Sequence, residues 1–202
     1  MLNWELEKEL QQNGYKIICG CDEAGRGPLA GEVAAAACIL PFGTEIKGLD
    51  DSKKLSEKKR EELFKTIQEA SLACAVATCS VEEIERYNIL EAALLAMRRA
   101  VEKLDVDPDF ILVDGNVNRG FSTPSKAIIG GDAKSPNIAA ASILAKVTRD
   151  HLCYELHEKY PQYNFAKHKG YATKEHREAI LKYGPCPEHR PLFLRKLLGK
   201  DE

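Results

Sequence analysis

The sequence predicts an α/β layer fold, a mixed β-sheet flanked by α-helices with a small C-terminal helical extension. Three observations predict it. Apolar segments of strand length come first, then alternate with longer segments of helical period. Val33–Leu40 is small and apolar throughout, as a strand covered on both faces must be. Three apolar strand candidates run into an acidic residue near glycine, at Asp22, Asp114 and Asp132. Sheets of this class carry their chemistry at strand ends.

The elements follow in order. Tyr15–Asp22 is apolar and predicts a strand; Val33–Leu40 predicts another, ended by Pro41-Phe42-Gly43. Asp50–Leu55 is a charged loop. Ser56 is a candidate N-cap for a helix through about Ala70, with Glu57 in its first turn. Leu72–Cys79 predicts a strand. Asn88 is placed to cap a long helix to Leu104, whose apolar residues Ile89, Leu90, Ala93, Leu94, Met97 and Val101 keep helical spacing. Phe110–Val113 is a short strand ending at Asp114-Gly115, and Ala127–Ile129 another, ending at Gly130-Gly131-Asp132. Pro136 suits the first residue of a helix that runs to about Tyr160. Two short helices are expected near Lys174–Lys182 and Glu188–Leu198.

Length and composition narrow the function. The 202 residues suit one domain with a small appendage. With 44% hydrophobic and 30% charged residues, neither disorder nor a disulfide scaffold fits. The net charge of −2 does not announce nucleic acid, but a near-neutral total can hide a basic face beside an acidic pocket. Val33–Thr44, the longest uncharged stretch near the N-terminus, is too short to span a bilayer. Met1–Glu9 lacks the apolar run of a signal peptide. The seven cysteines are odd in number, without Cys-x-x-Cys spacing, and mostly in apolar runs. Free buried thiols and a reducing, cytoplasmic setting are expected.

The most informative stretch is Ile17-Ile18-Cys19-Gly20-Cys21-Asp22-Glu23-Ala24-Gly25-Arg26-Gly27-Pro28. It sets two adjacent carboxylates where a buried strand gives out. Neighbours in a regular strand point to opposite faces, so both address one site only if the backbone turns there. The alternative is a solvated pair at a strand–turn. Likewise Asp114-Gly115 alone suits a plain turn. Clustered carboxylates without nearby His or Cys suit hard cations such as Mg2+ or Mn2+. Two such ions activate a water and stabilise a leaving oxygen on phosphodiesters.

Several motifs carry a resemblance. They are Asp22-Glu23-Ala24-Gly25-Arg26-Gly27-Pro28, Leu49-Asp50-Asp51-Ser52-Lys53-Lys54-Leu55, Val113-Asp114-Gly115-Asn116, Gly131-Asp132, the run from Ala140 to Asp150, and His168-Lys169-Gly170-Tyr171. In this order, over nearly the whole length, the chain resembles bacterial ribonuclease HII, the type 2 ribonuclease H family. The resemblance implies a ribonuclease-H-like fold, with a catalytic domain over residues 1–185 and a helical tail over 186–202. It implies an endonuclease that cuts the RNA strand of RNA–DNA hybrids, and cuts 5′ of a single ribonucleotide embedded in duplex DNA. It implies metal ligands at Asp22, Glu23, Asp114 and Asp132. Gly25-Arg26-Gly27 would sense the 2′-hydroxyl, and Tyr171 would pack on the following deoxyribose. Glycines let backbone approach a sugar closely, which supports the first of these independently.

Lys53, Lys54, Lys146 and Lys169 are candidate phosphate contacts, although charged loop residues are usually only solvated. Lys146 stands four residues before Asp150, so an ion pair competes. Ser142 sits in a small-residue helix run and suits close packing. The histidines are expected at the surface or near phosphate, with His168 the best candidate for any catalytic part. The ending Arg190-Pro191-Leu192-Phe193 departs from the family's Arg-x-Ser-Phe type. A monomer is expected. The competing functions are a non-catalytic hybrid binder and a metal-dependent phosphatase using Asp105-Val106-Asp107. The first gains nothing from four acids beside phosphates. For the second, no long apolar strand precedes the pair.

Overall fold

The computed structural model describes residues 2–50 and 52–199. Asp51, part of one motif above, and the last residues of the tail lie outside them. One sheet holds β1 (Ile18–Ala24), β2 (Val33–Ile39), β3 (Ala73–Cys79), β4 (Phe110–Asp114) and β5 (Ser125–Ile128) in the order β3-β2-β1-β4-β5. The β1–β2 and β2–β3 pairs are antiparallel; β1–β4 and β4–β5 are parallel. The predicted mixed sheet with flanking helices is therefore present.

The helices are α1 (Glu5–Gln12), α2 (Glu57–Ala70), α3 (Val81–Tyr87), α4 (Ile89–Glu102), α5 (Pro136–Lys159), α6 (Phe165–His168), α7 (Lys174–Tyr183) and α8 (Pro191–Leu194). Ser56 caps α2 by accepting from the Lys59 amide, and Asn88 caps α4 by accepting from Leu90 and Glu91. The N-terminal α1 and the short α3 add to the elements expected. Ser80 and Glu83 close a capping box on α3, reciprocal bonds that settle a helix of two turns. The expected Glu188–Leu198 helix shortens to α8. Arg190 is extended there, as a residue before proline prefers, and Pro191 takes the first helical position.

Strand alternation fixes the two cores. In β2, Val33, Ala35, Ala37 and Ile39 pack with α4, while Ala36 and Cys38 pack with α2 and α5. In β1, Cys19 and Cys21 join the α4 side. Gly20 faces α5, where an added Cβ would come 2.2 Å from the Asn137 carbonyl carbon. Only glycine lets α5 lie that close to β1, and this approach sets the depth of the site. All seven cysteines are free thiols, five of them buried. Among the described residues no helix is long and apolar enough to cross a membrane.

Candidate active site

The carboxylates converge where β1 and β4 run side by side. Asp22 lies within β1, opposite Ala36 of β2. Asp114 ends β4, and Asp132 sits in a short 3-10 turn after β5. Carboxylate oxygens from these three all lie within 4.8 Å of one another. The Asp114 Oδ1 accepts the Gly131 amide at 2.6 Å, which ties the β4 end to that turn.

Glu23 stands apart from the three-oxygen cluster. The expected turn after Asp22 does not occur there. The strand continues to Ala24, so residue parity holds and Glu23 follows Cys19 and Cys21 rather than Asp22. Glu23 still lines the same cleft, with its Oε1 3.2 Å from Arg26 Nη1.

The electrostatics are those of an unneutralised anion cluster. Burial, then the charges of Glu23 and Asp114, push the Asp22 carboxyl well above the usual range. Burial likewise raises Glu23 against the opposing pull of Arg26. Burial and the charge of Asp132 raise Asp114, opposed by the Gly131 amide and Lys53. An all-oxygen donor set of this spacing fits a hard divalent cation, which prefers oxygen ligands about 2.0–2.6 Å away.

Ser142, on α5, has a role that the sequence concealed. Its hydroxyl meets the Ser52 hydroxyl at 2.8 Å and, beside Asp22, favours the ionised carboxylate against burial. It thus ties α5 to the Ser52–Lys54 turn beside Asp22. The one signal was a lone hydroxyl in the run Ala139-Ala140-Ala141-Ser142-Ile143-Leu144-Ala145.

A cleft of about 210 Å3 joins these groups to the expected substrate contacts. Gly25, Arg26, Gly27, Lys53, Lys146, Lys169 and Tyr171 all line it. Lys53 Nζ lies 3.3 Å from Asp132. Lys54 instead pairs with Asp50 at 3.2 Å and lines a neighbouring groove beside Trp4. Lys146 pairs with Asp150 at 2.6 Å, so the ion pair and the cleft position coexist. Lys169 sits over the Tyr154 ring, 4.2 Å from its centroid. Tyr171 is exposed beside Gly27, where an added Cβ would come 3.4 Å from its ring. Asp105 and Asp107 lie in the loop between α4 and β4 and do not line the cleft.

Arg190, which the sequence marks only as the start of a divergent tail motif, belongs to the wall of this site. It is fully buried, and its guanidinium donates to the carbonyls of Gly25, Arg26, Pro28, Gly31 and Glu32 at 2.7–3.3 Å. Burial, with Arg149 alongside, pulls its pKa down to about 9, so it stays charged at neutral pH.

The histidines correct the surface expectation. His168, His176 and His189 are buried around Phe165. His176 and His168 stack at 4.3 Å. Their ring nitrogens are taken up by backbone and by one another, which removes His168 from the reacting groups.

Fold and site together define an α/β enzyme that sets an oxygen-lined cation centre beside a partly basic cleft. The comparisons with known proteins agree. The Ribonuclease HII family profile matches residues 19–197. The chain is 58% identical over 185 residues to the ribonuclease HII of Idiomarina loihiensis, covering 91% of this chain and 99% of that one. The crystal structure of ribonuclease H2 from Pyrococcus horikoshii OT3 superposes with a TM-score of 0.74 at 27% identity, covering 92% of this chain and 98% of that one. A Bst-RNase HIII structure in complex with Mn2+ shares the fold with a TM-score of 0.74 at 19% identity, over 94% of this chain and 71% of that one. The chain belongs to the ribonuclease HII family and is a metal-dependent endoribonuclease of the ribonuclease H type.

Proposed function

We propose that the enzyme hydrolyses the RNA strand of RNA–DNA hybrids and cuts 5′ of single ribonucleotides embedded in duplex DNA, leaving 5′-phosphate and 3′-hydroxyl ends. One observation carries the reading. Asp22, Glu23 and Asp114, with Asp132 beside them, share one cleft with the Gly25-Arg26-Gly27 loop and Tyr171, so phosphate chemistry and sugar contact fall on adjacent nucleotides.

Asp22, Glu23, Asp114 and Asp132 hold two divalent ions, Mg2+ or Mn2+; the Bst-RNase HIII complex holds Mn2+ in its own structure. Bound there, the ions supply activation of a water and stabilisation of the leaving oxygen. The protein does the rest. The Glu23 amide holds Asp22, and the Gly131 amide holds Asp114. Gly25-Arg26-Gly27 contacts the ribose 2′-hydroxyl through backbone groups, which are left unpaired over deoxyribose. Tyr171 packs on the next sugar, where a 2′-hydroxyl would crowd the ring. Lys53, Lys146 and Lys169 contact phosphates around the cleft; Lys54 contacts the strand further out. Residues 1–185 are the catalytic domain and 186–202 a C-terminal tail on or near it, and the enzyme works as a cytoplasmic monomer.

The test is a duplex DNA carrying one ribonucleotide on an end-labelled strand, incubated with Mg2+, with Mn2+ and with chelator. A single cut 5′ of the ribonucleotide, absent with chelator, is expected. Uncut duplex in the presence of both ions overturns the reading.

A further inference from the structure

We propose that Arg190 is a positioning residue for ribose discrimination, holding the Gly25–Glu32 loop with its carbonyls turned in and its amides turned out. The inference rests on the reading of that loop as the 2′-hydroxyl sensor.

Beyond one isolated bridge between Ala30 and His189, the loop belongs to no ladder that would fix its peptide planes. Instead, all but one of its carbonyls from Gly25 to Glu32 accept a bond from elsewhere. The Arg190 guanidinium takes five of them, its own amide takes Leu29, and Arg149 takes Ala30 at 2.8 Å. Two buried guanidiniums under one loop would be costly without such acceptors. Among the described residues every peptide bond is trans. In a trans peptide the N–H points opposite to the preceding carbonyl. Turning the Gly25 and Arg26 carbonyls onto Arg190 therefore turns the Arg26 and Gly27 amides away from it, toward the cleft those residues line. Among the described residues neither amide has a protein acceptor.

The fork of Arg190 matters, not its charge alone. One planar group reaches carbonyls spread over eight residues, which a lysine ammonium with three donors does not reproduce. The same segment anchors the second sugar contact. His189 Nε2 meets His176 Nε2 at 3.1 Å, and His176 Nδ1 donates to the Tyr171 carbonyl at 2.9 Å. Residues 189 and 190 thus seat both sugar-contacting elements from below.

The test uses the Mg2+-loaded enzyme and two competing duplexes of one sequence, with and without a single ribonucleotide. The readout is the ratio of Ki for the all-DNA competitor to KM for the ribonucleotide duplex. In Arg190→Lys this ratio is expected to fall about 5- to 10-fold, the value of roughly one lost hydrogen bond, while Ki for all-DNA stays within about twofold. A merely structural role lowers the active fraction and leaves the ratio unchanged. An unchanged ratio in a folded Arg190→Lys protein overturns the inference. Where Arg190→Lys melts below assay temperature, Arg190→Ala with added ethylguanidinium replaces it. Return of the ratio with the additive supports the inference, and no return overturns it. A wild-type ratio near one instead sinks the reading of the loop as a sensor, whatever Arg190 does.

Discussion

The two halves of the cleft are built by different means. The carboxylate half is built on the sheet, from Asp22 within β1, Asp114 at the end of β4 and Asp132 in the turn after β5. Asp22 and Asp114 stand on neighbouring parallel strands whose ladder fixes their spacing, and Gly131 donates directly to Asp114. The sugar-contacting half is made of loops: Gly25–Glu32, held by Arg190 about 160 residues away in sequence, and His168–Tyr171, held by near neighbours such as His176. A ladder holds reacting groups stiffly but offers only its two faces. A loop on a buried guanidinium can present consecutive backbone amides, at the cost of depending on one distant residue.

Breaking the carboxylate half has the largest expected effect. Asp114→Asn removes a ligand and one negative charge without changing shape. Turnover should fall at least about 1000-fold on long hybrids and on single ribonucleotides alike, since several kcal/mol of metal-derived stabilisation is lost. The melting temperature of the metal-free protein should hold or rise, because burial and Asp132 already oppose ionisation of Asp114. Near wild-type turnover at saturating Mg2+ would remove Asp114 from the ligand set.

The second comparison uses pH and acts on the other half. Burial lowers the pKa of His176 to about 4; burial, then the nearby His176, lowers that of His189 to about 4. Cys186, raised by burial, stays neutral beside them, and His168 is lowered as well. A histidine with a depressed folded pKa binds its proton more readily unfolded. Its contribution is therefore complete above about pH 6.5 and is lost as pH falls toward 4. Each group acting alone removes up to about 1.4 kcal/mol per pH unit in that window. The urea midpoint should drop between pH 6.5 and 4, and NMR titration should show both rings neutral at pH 5.5. A ring that titrates near 6.5 would mean that the cluster is solvated and does not hold Tyr171.

The same contrast decides what was legible in the sequence. Asp22, Asp114 and Asp132 were readable because each follows an apolar strand, and local pattern reports strand ends. The helices α2, α4 and α5 were readable from Ser56, Asn88 and Pro136, residues that act on their own next turn. Glu23 was harder to place from sequence: pairing with Ala35 keeps the strand going past Asp22, so Glu23 reaches the cleft from the other face of β1. Arg190 and the buried histidines were illegible for a different reason. Their partners are backbone carbonyls and one another, and a carbonyl has no residue type to read. An arginine beside proline in a polar tail gives no hint that it lies under a loop at the far end of the chain.

The smallest expected effect separates two adjacent lysines. Lys53 lines the cleft and reaches Asp132, whereas Lys54 pairs with Asp50 on the neighbouring groove. A lysine that neutralises a phosphate releases about one counterion, so its removal lowers the slope of log K against log salt by about one. Lys53→Ala should weaken hybrid binding and reduce that slope by about one. Lys54→Ala should weaken binding less and shift the slope by less, because Asp50 already sits against its ammonium and an exposed pair of this kind contributes little. Titrations at four salt concentrations with one labelled hybrid measure both. Equal slopes for the two variants would mean that the duplex runs over both grooves, and that the boundary between cleft and surround lies beyond Lys54. A slope change confined to Lys53 would place the phosphate path against the carboxylates, where the strand-built half begins.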